Sequence, residues 1–142
     1  MSNQYLYQAE VMRKPVSFVF LSLFVLSFSC TRDVDQAEVA ARVAKQYYDQ
    51  LLQGQYESFV DGTFREDSIP DSYRTQLIEN ARMFVGNQQE AHGGICEVRI
   101  VNALADTALH SANVFLLFCF GDSTSEEMVV PMVQHKGVWM MK

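Results

Sequence analysis

The run at residues 112–120, Ala-Asn-Val-Phe-Leu-Leu-Phe-Cys-Phe, constrains this chain more than any other stretch. It is rich in β-formers and apolar on both faces, which predicts a central strand covered on both sides. Ile95-Cys96-Glu97-Val98-Arg99-Ile100-Val101 precedes it and alternates, with Cys96, Val98 and Ile100 on one face and Glu97 and Arg99 on the other. That period-2 pattern marks a half-buried strand. Gly121 to Ser125 is a turn cluster, residues 128–135 form the next strand, and Lys136-Gly137 is a hairpin turn into Val138-Trp139-Met140-Met141. Pro131 lacks the N–H a strand interior needs, but a hairpin centred on Lys136-Gly137 sets it opposite Lys142, where β-pairing runs out.

The preceding half is helical. Between Gln36 and Gln53, Val39, Ala40, Val43, Ala44, Tyr47, Tyr48, Leu51 and Leu52 recur at three- and four-residue spacings, and Arg42, Lys45, Asp49 and Gln53 take the other side. The pattern is an amphipathic helix of about five turns ended by Gly54. Tyr56, Phe59 and Val60 lie in a short second helix over residues 55–61, broken by Gly62, with a loop or brief strand at 63–67. Ser68-Ile69-Pro70-Asp71 starts a third helix, with Ser68 as the expected cap, running to about Gln89 with Tyr73, Leu77, Ala81, Phe84 and Val85 inward.

This order of elements, with Val43-Ala44-Lys45-Gln46-Tyr47-Tyr48, Leu51-Leu52-Gln53-Gly54-Gln55-Tyr56, His92-Gly93-Gly94-Ile95 and Lys136-Gly137-Val138-Trp139, resembles the NTF2-like superfamily, the cystatin-like α+β roll. Within it the chain looks like the exported Bacteroides-type lipoproteins with DUF4878-like domains, whose function is unknown. The resemblance covers residues 36–142. It implies three N-terminal helices packed on a curved antiparallel sheet of about four strands, with a conical pocket between helices and sheet. Superfamily enzymes similar to ketosteroid isomerases or dehydratases place an Asp base with Tyr or His donors there; other members only bind, or dimerise through the sheet. None of the quoted residues is a catalytic motif.

The first 29 residues read as an export signal. Arg13-Lys14 precedes the apolar run 16–28, which is shorter than the ~18 residues of a membrane span. Met12 stands just before Arg13 and offers an alternative start. Ser27-Phe28-Ser29-Cys30 resembles a bacterial lipoprotein box, although Ser27 and Phe28 depart from its usual residues. Cys30 would then carry the acyl chains, residues 30–35 would be a tether, and the domain would sit on a membrane of the cell envelope, the outer membrane by expectation. An ordinary cleavage site using Ser27 and Ser29 is the alternative. Losing Glu10, Arg13 and Lys14 takes the formal charge from −6 to −7. A surface this acidic repels nucleic-acid phosphates and anionic headgroups, so nucleic acid is not expected as a partner and the anchor would have to supply membrane attachment.

The candidates for chemistry are few. Tyr47, Tyr48, Tyr56 and Tyr73 sit on helix faces directed inward, and Trp139 is placed on the concave sheet face. They are the candidate ligand pocket, or else core aromatics whose polar tips reach the rim. Asp61 is the one acid near a plausible pocket mouth, as a base or simply as the end of the second helix. His92, His110 and His135 follow no zinc spacing, Gly93-Gly94 lacks the residues of a phosphate loop, and no Gly-x-Ser-x-Gly elbow occurs. No catalytic residue, metal or cofactor is expected. Met128, Met132, Met140 and Met141 suit either an adaptable pocket wall or core filling. Cys96 and Cys119 can pair across neighbouring strands, although free buried thiols are the commoner outcome. Three functions follow: a lipid-anchored, non-catalytic module binding a small apolar ligand or an envelope protein; an isomerase- or dehydratase-like enzyme; or a structural envelope protein forming a homodimer through its sheet.

Overall fold

The computed structural model describes residues 35–142; the expected export signal and the lipidation expected at Cys30 lie outside them. Among the described residues the elements run α1 (Gln36–Leu52), α2 (Tyr56–Asp61), α3 (Asp71–His92), β1 (Ile95–Asp106), β2 (Ser111–Phe120), β3 (Ser125–His135) and β4 (Val138–Met141). The strands form one antiparallel sheet in the order β1-β2-β3-β4. This is the α+β arrangement of helices followed by a strand meander that the sequence predicts.

The apolar run is a central strand. Ala112, Val114, Leu116, Phe118 and Phe120 are buried on its helix-facing side, and Phe115, Leu117 and Cys119 are half-buried on the outer side. Val98 on β1, Val130 and Met132 on β3, and Trp139 and Met141 on β4 extend the same core. Ala40, Ala41 and Ala44 of α1 are buried against it, small side chains that let the helix lie close to the sheet. A second cluster of Leu51, Val60 and Ala81, with Tyr56, Leu77 and Ile78 around it, ties the three helices together.

β1 differs from the strict alternation read from residues 95–101. It continues to Asp106, and its register against β2 slips between Ile95 and Glu97 and again between Ile100 and Asn102. Each slip inserts one residue, so Ile95, Val98 and Ile100 share a face with Ala103 and Ala105, and Cys96 is left exposed. Bulges of this kind bend a strand and increase its twist. β3 starts at Ser125, earlier than expected, because pairing with β2 carries the polar Ser125-Glu126-Glu127 into the ladder.

The turns follow their chemistry. Lys136 and Gly137 both have positive φ, 50° and 81°, as the two-residue hairpin turn between His135 and Val138 requires. The Lys142 N–H donates to the Pro131 carbonyl at 2.9 Å, so the edge of Pro131 that lacks a donor faces the end of β4, as expected. The other edge of β4 is covered by the segment after α2: Met141 donates to the Gly62 carbonyl and Phe64 to the Met141 carbonyl, at 2.9 and 2.7 Å. The first helix starts at Gln36 as expected, and the cap of the third does not follow expectation. Asp35 caps α1 by accepting from the Ala37 N–H at 3.0 Å, whereas α3 begins after Pro70 with no side-chain cap and Ser68 is uninvolved. α3 also passes through Gly86 and stops at His92, where Gly93 takes a left-handed φ of 73°. Gly121 packs so tightly on this helix end that a Cβ there would lie 2.5 Å from the Gly93 oxygen.

Candidate functional site

The sheet core and the helical cluster do not close completely on each other. Tyr48, Leu51, Phe59, Ala81, Phe84 and Met128 surround a partly open cavity of about 150 Å³ between α1, α2, α3 and β3. Its walls are carbon except for one phenol and one thioether. Tyr48 anchors it, with its ring edge-on to Phe59 at 5.3 Å and to Phe118 at 5.1 Å, linking the helical layer to the sheet. Burial pushes the Tyr48 phenol above its ordinary pKa, so it stays neutral and can donate a hydrogen bond into apolar surroundings. Apolar-walled cavities of ~150 Å³ are known to stay dry and to admit a benzene-sized molecule.

The aromatic residues expected to share this pocket do not converge on it. Tyr47 turns its hydroxyl to the Trp139 backbone carbonyl at 3.2 Å and fills the space beside Gly62, where a Cβ would come within 2.5 Å of its ring. Trp139 is buried on the helix-facing side of β4, and its indole N–H donates to the Gln36 side-chain oxygen at 3.3 Å. Both residues fasten β4 to α1. Tyr56 packs in the helical cluster under the Arg82 guanidinium, 5.5 Å above its ring, and Tyr73 is about half exposed on α3. Of the five, Tyr48 lines the cavity. Phe59, Ala81, Phe84 and Met128 complete it; their inward periodicity is visible in the sequence, but no pattern says that they meet.

Asp61 is held by Arg74 in a two-pronged pair, with N···O distances of 2.9 and 2.7 Å. That hydrogen bonding keeps its carboxyl below the usual range, the opposite of what a general base in an apolar pocket needs. His92 places Nδ1 2.9 Å from the Asp122 carboxylate, at the seam between the end of α3 and the β2–β3 turn. Asp122 also accepts from the Thr124 N–H and hydroxyl, and these bonds with His92 bring its pKa to about 2. His110 is in the β1–β2 turn and His135 ends β3 beside Phe64. Among the described residues no group of three His, Cys, Asp or Glu side chains is gathered closely enough to hold a metal ion, and no helix is long and apolar enough to cross a membrane.

A larger depression of about 330 Å³ lies at the far end of the sheet, lined by Leu104, Asp106, Asn113, Pro131 and Lys142 among others. It opens among exposed polar groups, so the smaller cavity is the better candidate for an apolar ligand.

The chain is similar in structure to a protein from Campylobacter jejuni described as an NTF2-like transpeptidase, whose crystal structure is at 2.00 Å resolution. The match has a TM-score of 0.58 at 13% identity and covers 70% of this chain and 94% of the other. The fold is NTF2-like. At this identity the likeness speaks for the fold alone. No protein-family model matches the chain and no curated protein matches it, so the finer resemblance to DUF4878-like lipoproteins rests on the residues quoted for it. The cavity lies between the three helices and the β3 end that carries Met128.

Proposed function

We propose that this protein is a non-catalytic binding module of the bacterial cell envelope, anchored through acyl chains on Cys30, that takes a small apolar ligand or an apolar side chain of an envelope partner. The observation that carries the binding half is the carbon-walled cavity around Tyr48, Ala81 and Met128. Asp61, the acid nearest to a catalytic role by sequence, is engaged by Arg74, which weighs against the isomerase- or dehydratase-like alternative. The anchoring half rests on the apolar run that stops at Ser29-Cys30 and on an acidic domain that would not bind a membrane by charge.

Native mass spectrometry of the mature protein, extracted from its own host membranes, tests both halves. The expected spectrum shows acyl mass on Cys30 and a retained small apolar molecule. Detergent partitioning unchanged in Cys30→Ala would remove the anchor, and a ligand-free protein would remove the binding reading.

The outer sheet face supports a second reading, a homodimer. Leu104 and Val129 are more than half exposed on it, around the half-buried Phe115 and Leu117. The same spectrum would show that form as twice the chain mass.

A further inference from the structure

The bulge at the start of β1 sets two cysteines across from each other on paired strands. Pairing passes from Ile95 opposite Phe120 to Glu97 opposite Cys119, so Cys96 is the inserted residue and shares Cys119 as its cross-strand neighbour. In such a bulge two residues of one strand oppose a single residue of the other. Phe118 and Phe120 point to the core, which turns Cys119 to the outer face, where it is half-buried; Cys96 is exposed, and both thiols are free. The Gly121 N–H donates to the Gly94 carbonyl. By the strand's two-residue period Cys119 turns its backbone to the same side, towards β1. The register partner of Cys119 is Glu97, at the ~4.5–5.5 Å Cα spacing of opposed residues; Cys96 is the adjoining bulge residue facing the same partner, close to the ~4.4–6.8 Å that a disulfide spans.

We propose that Cys96 and Cys119 form a reversible cross-strand disulfide that locks the edge strand β1 to β2. The oxidant is a small-molecule or protein disulfide. With oxidised glutathione, the exposed Cys96 thiolate attacks one glutathione sulfur, forming a mixed disulfide and releasing one reduced glutathione. The Cys119 thiolate then attacks the Cys96 sulfur, the protein disulfide forms, and the second glutathione leaves. Two electrons pass from the protein to glutathione, and the two thiol protons end on the two glutathione thiols. The bond would close residues 96–119 into a loop and hold in place the strand that carries both bulges. It requires neither the cavity nor the anchor, so it stands apart from the functional reading.

Trypsin provides the test, because Arg82, Arg99 and Lys136 put Cys96 in the peptide 83–99 and Cys119 in the peptide 100–136. The full chain carrying Cys30→Ser is incubated with oxidised glutathione, alkylated, digested without reductant and analysed by mass spectrometry. The expected product is the two peptides joined, from protein that runs as a monomer on a non-reducing gel, and separated again by dithiothreitol. Cys119→Ser should abolish the joined product and leave glutathione on Cys96. Alkylation or stable glutathione adducts on both cysteines of the parent chain, or a joined product found solely in dimers, would overturn the proposal. The peptide readout on the parent chain decides it even if Cys119→Ser folds poorly.

Discussion

The two layers of this domain are built to different standards. On the sheet, every second residue of β2 is buried, and Val114 and Leu116 have no exposed surface at all. Over it, α3 is 22 residues long and buries one, Ala81. α1 bridges the two, with alanines against the sheet at its start and Tyr48 and Leu51 towards the other helices at its end. Interlocking strands with close-packed side chains have little freedom to adapt. A helix held by half-buried Leu77, Ile78, Phe84 and Val85 can shift with small loss. The cavity lies at the junction, beneath the small Ala81, so the looser layer is also where a ligand would be admitted.

Equal truncations in the two layers should therefore have unequal costs. Trp139→Ala removes a buried indole together with its bond to Gln36, and Phe118→Ala empties the centre of the sheet core. Each should cost ~3–5 kcal/mol in urea unfolding, and Trp139→Ala should leave little folded protein. Phe84→Ala in α3 should cost clearly less, because that side chain is partly exposed and borders an existing void. A loss at Phe84 equal to that at Phe118 would break the distinction.

Filling the void sharpens it. Ala81→Leu places three extra carbons towards Phe59, Phe84 and Met128. In a rigid layer such overpacking costs ~1–3 kcal/mol. Here the unfolding midpoint should change little or rise. A loss as large as in a rigid layer would mean that α3 cannot adjust.

The seam between the layers should respond to acid. Asp122 has a folded pKa of about 2, below its unfolded value, because Thr124 and His92 hydrogen-bond its carboxylate. Its stabilising contribution is therefore complete above pH ~4 and is lost as pH falls towards 2. The group is solvent-exposed, so the effect is the smallest of the series. Asp122→Asn should lower stability slightly at neutral pH, meet the parent chain near pH 2, and so flatten the acid limb of the profile. An unchanged acid limb would show that these bonds contribute nothing.

The difference between the layers also explains what was legible in the sequence. Sheet features depend on neighbours in sequence: the run of β2 is apolar on both faces, the position of Pro131 follows from counting back from the Lys136-Gly137 turn, and the inward face of Trp139 follows from the burial that a lone large aromatic gains there. The bulges of β1 are not readable, because Cys96 fits the alternation with Val98 and Ile100 and only the partner strand reveals the inserted residues. The strand character of Glu126 and Glu127 was hidden for the same reason. In the helices, periodicity identified the inward faces but not which side chains meet. Tyr47 and Tyr48 are adjacent and lie about 100° apart around α1, enough to send one hydroxyl to β4 and the other ring to the cavity.

The central claim is that the junction of the two layers accepts a small apolar ligand, and a methyl-detected NMR titration tests it most directly. Residues 36–142, labelled at the methionine methyl groups, would be titrated with benzene. Met128 lines the cavity, and Met140 lies on the outer sheet face. The account predicts a saturable shift of the Met128 signal, an unmoved Met140, and loss of the response in Ala81→Leu. A shift at Met140 with Met128 unchanged, or an equal response in Ala81→Leu, would contradict it.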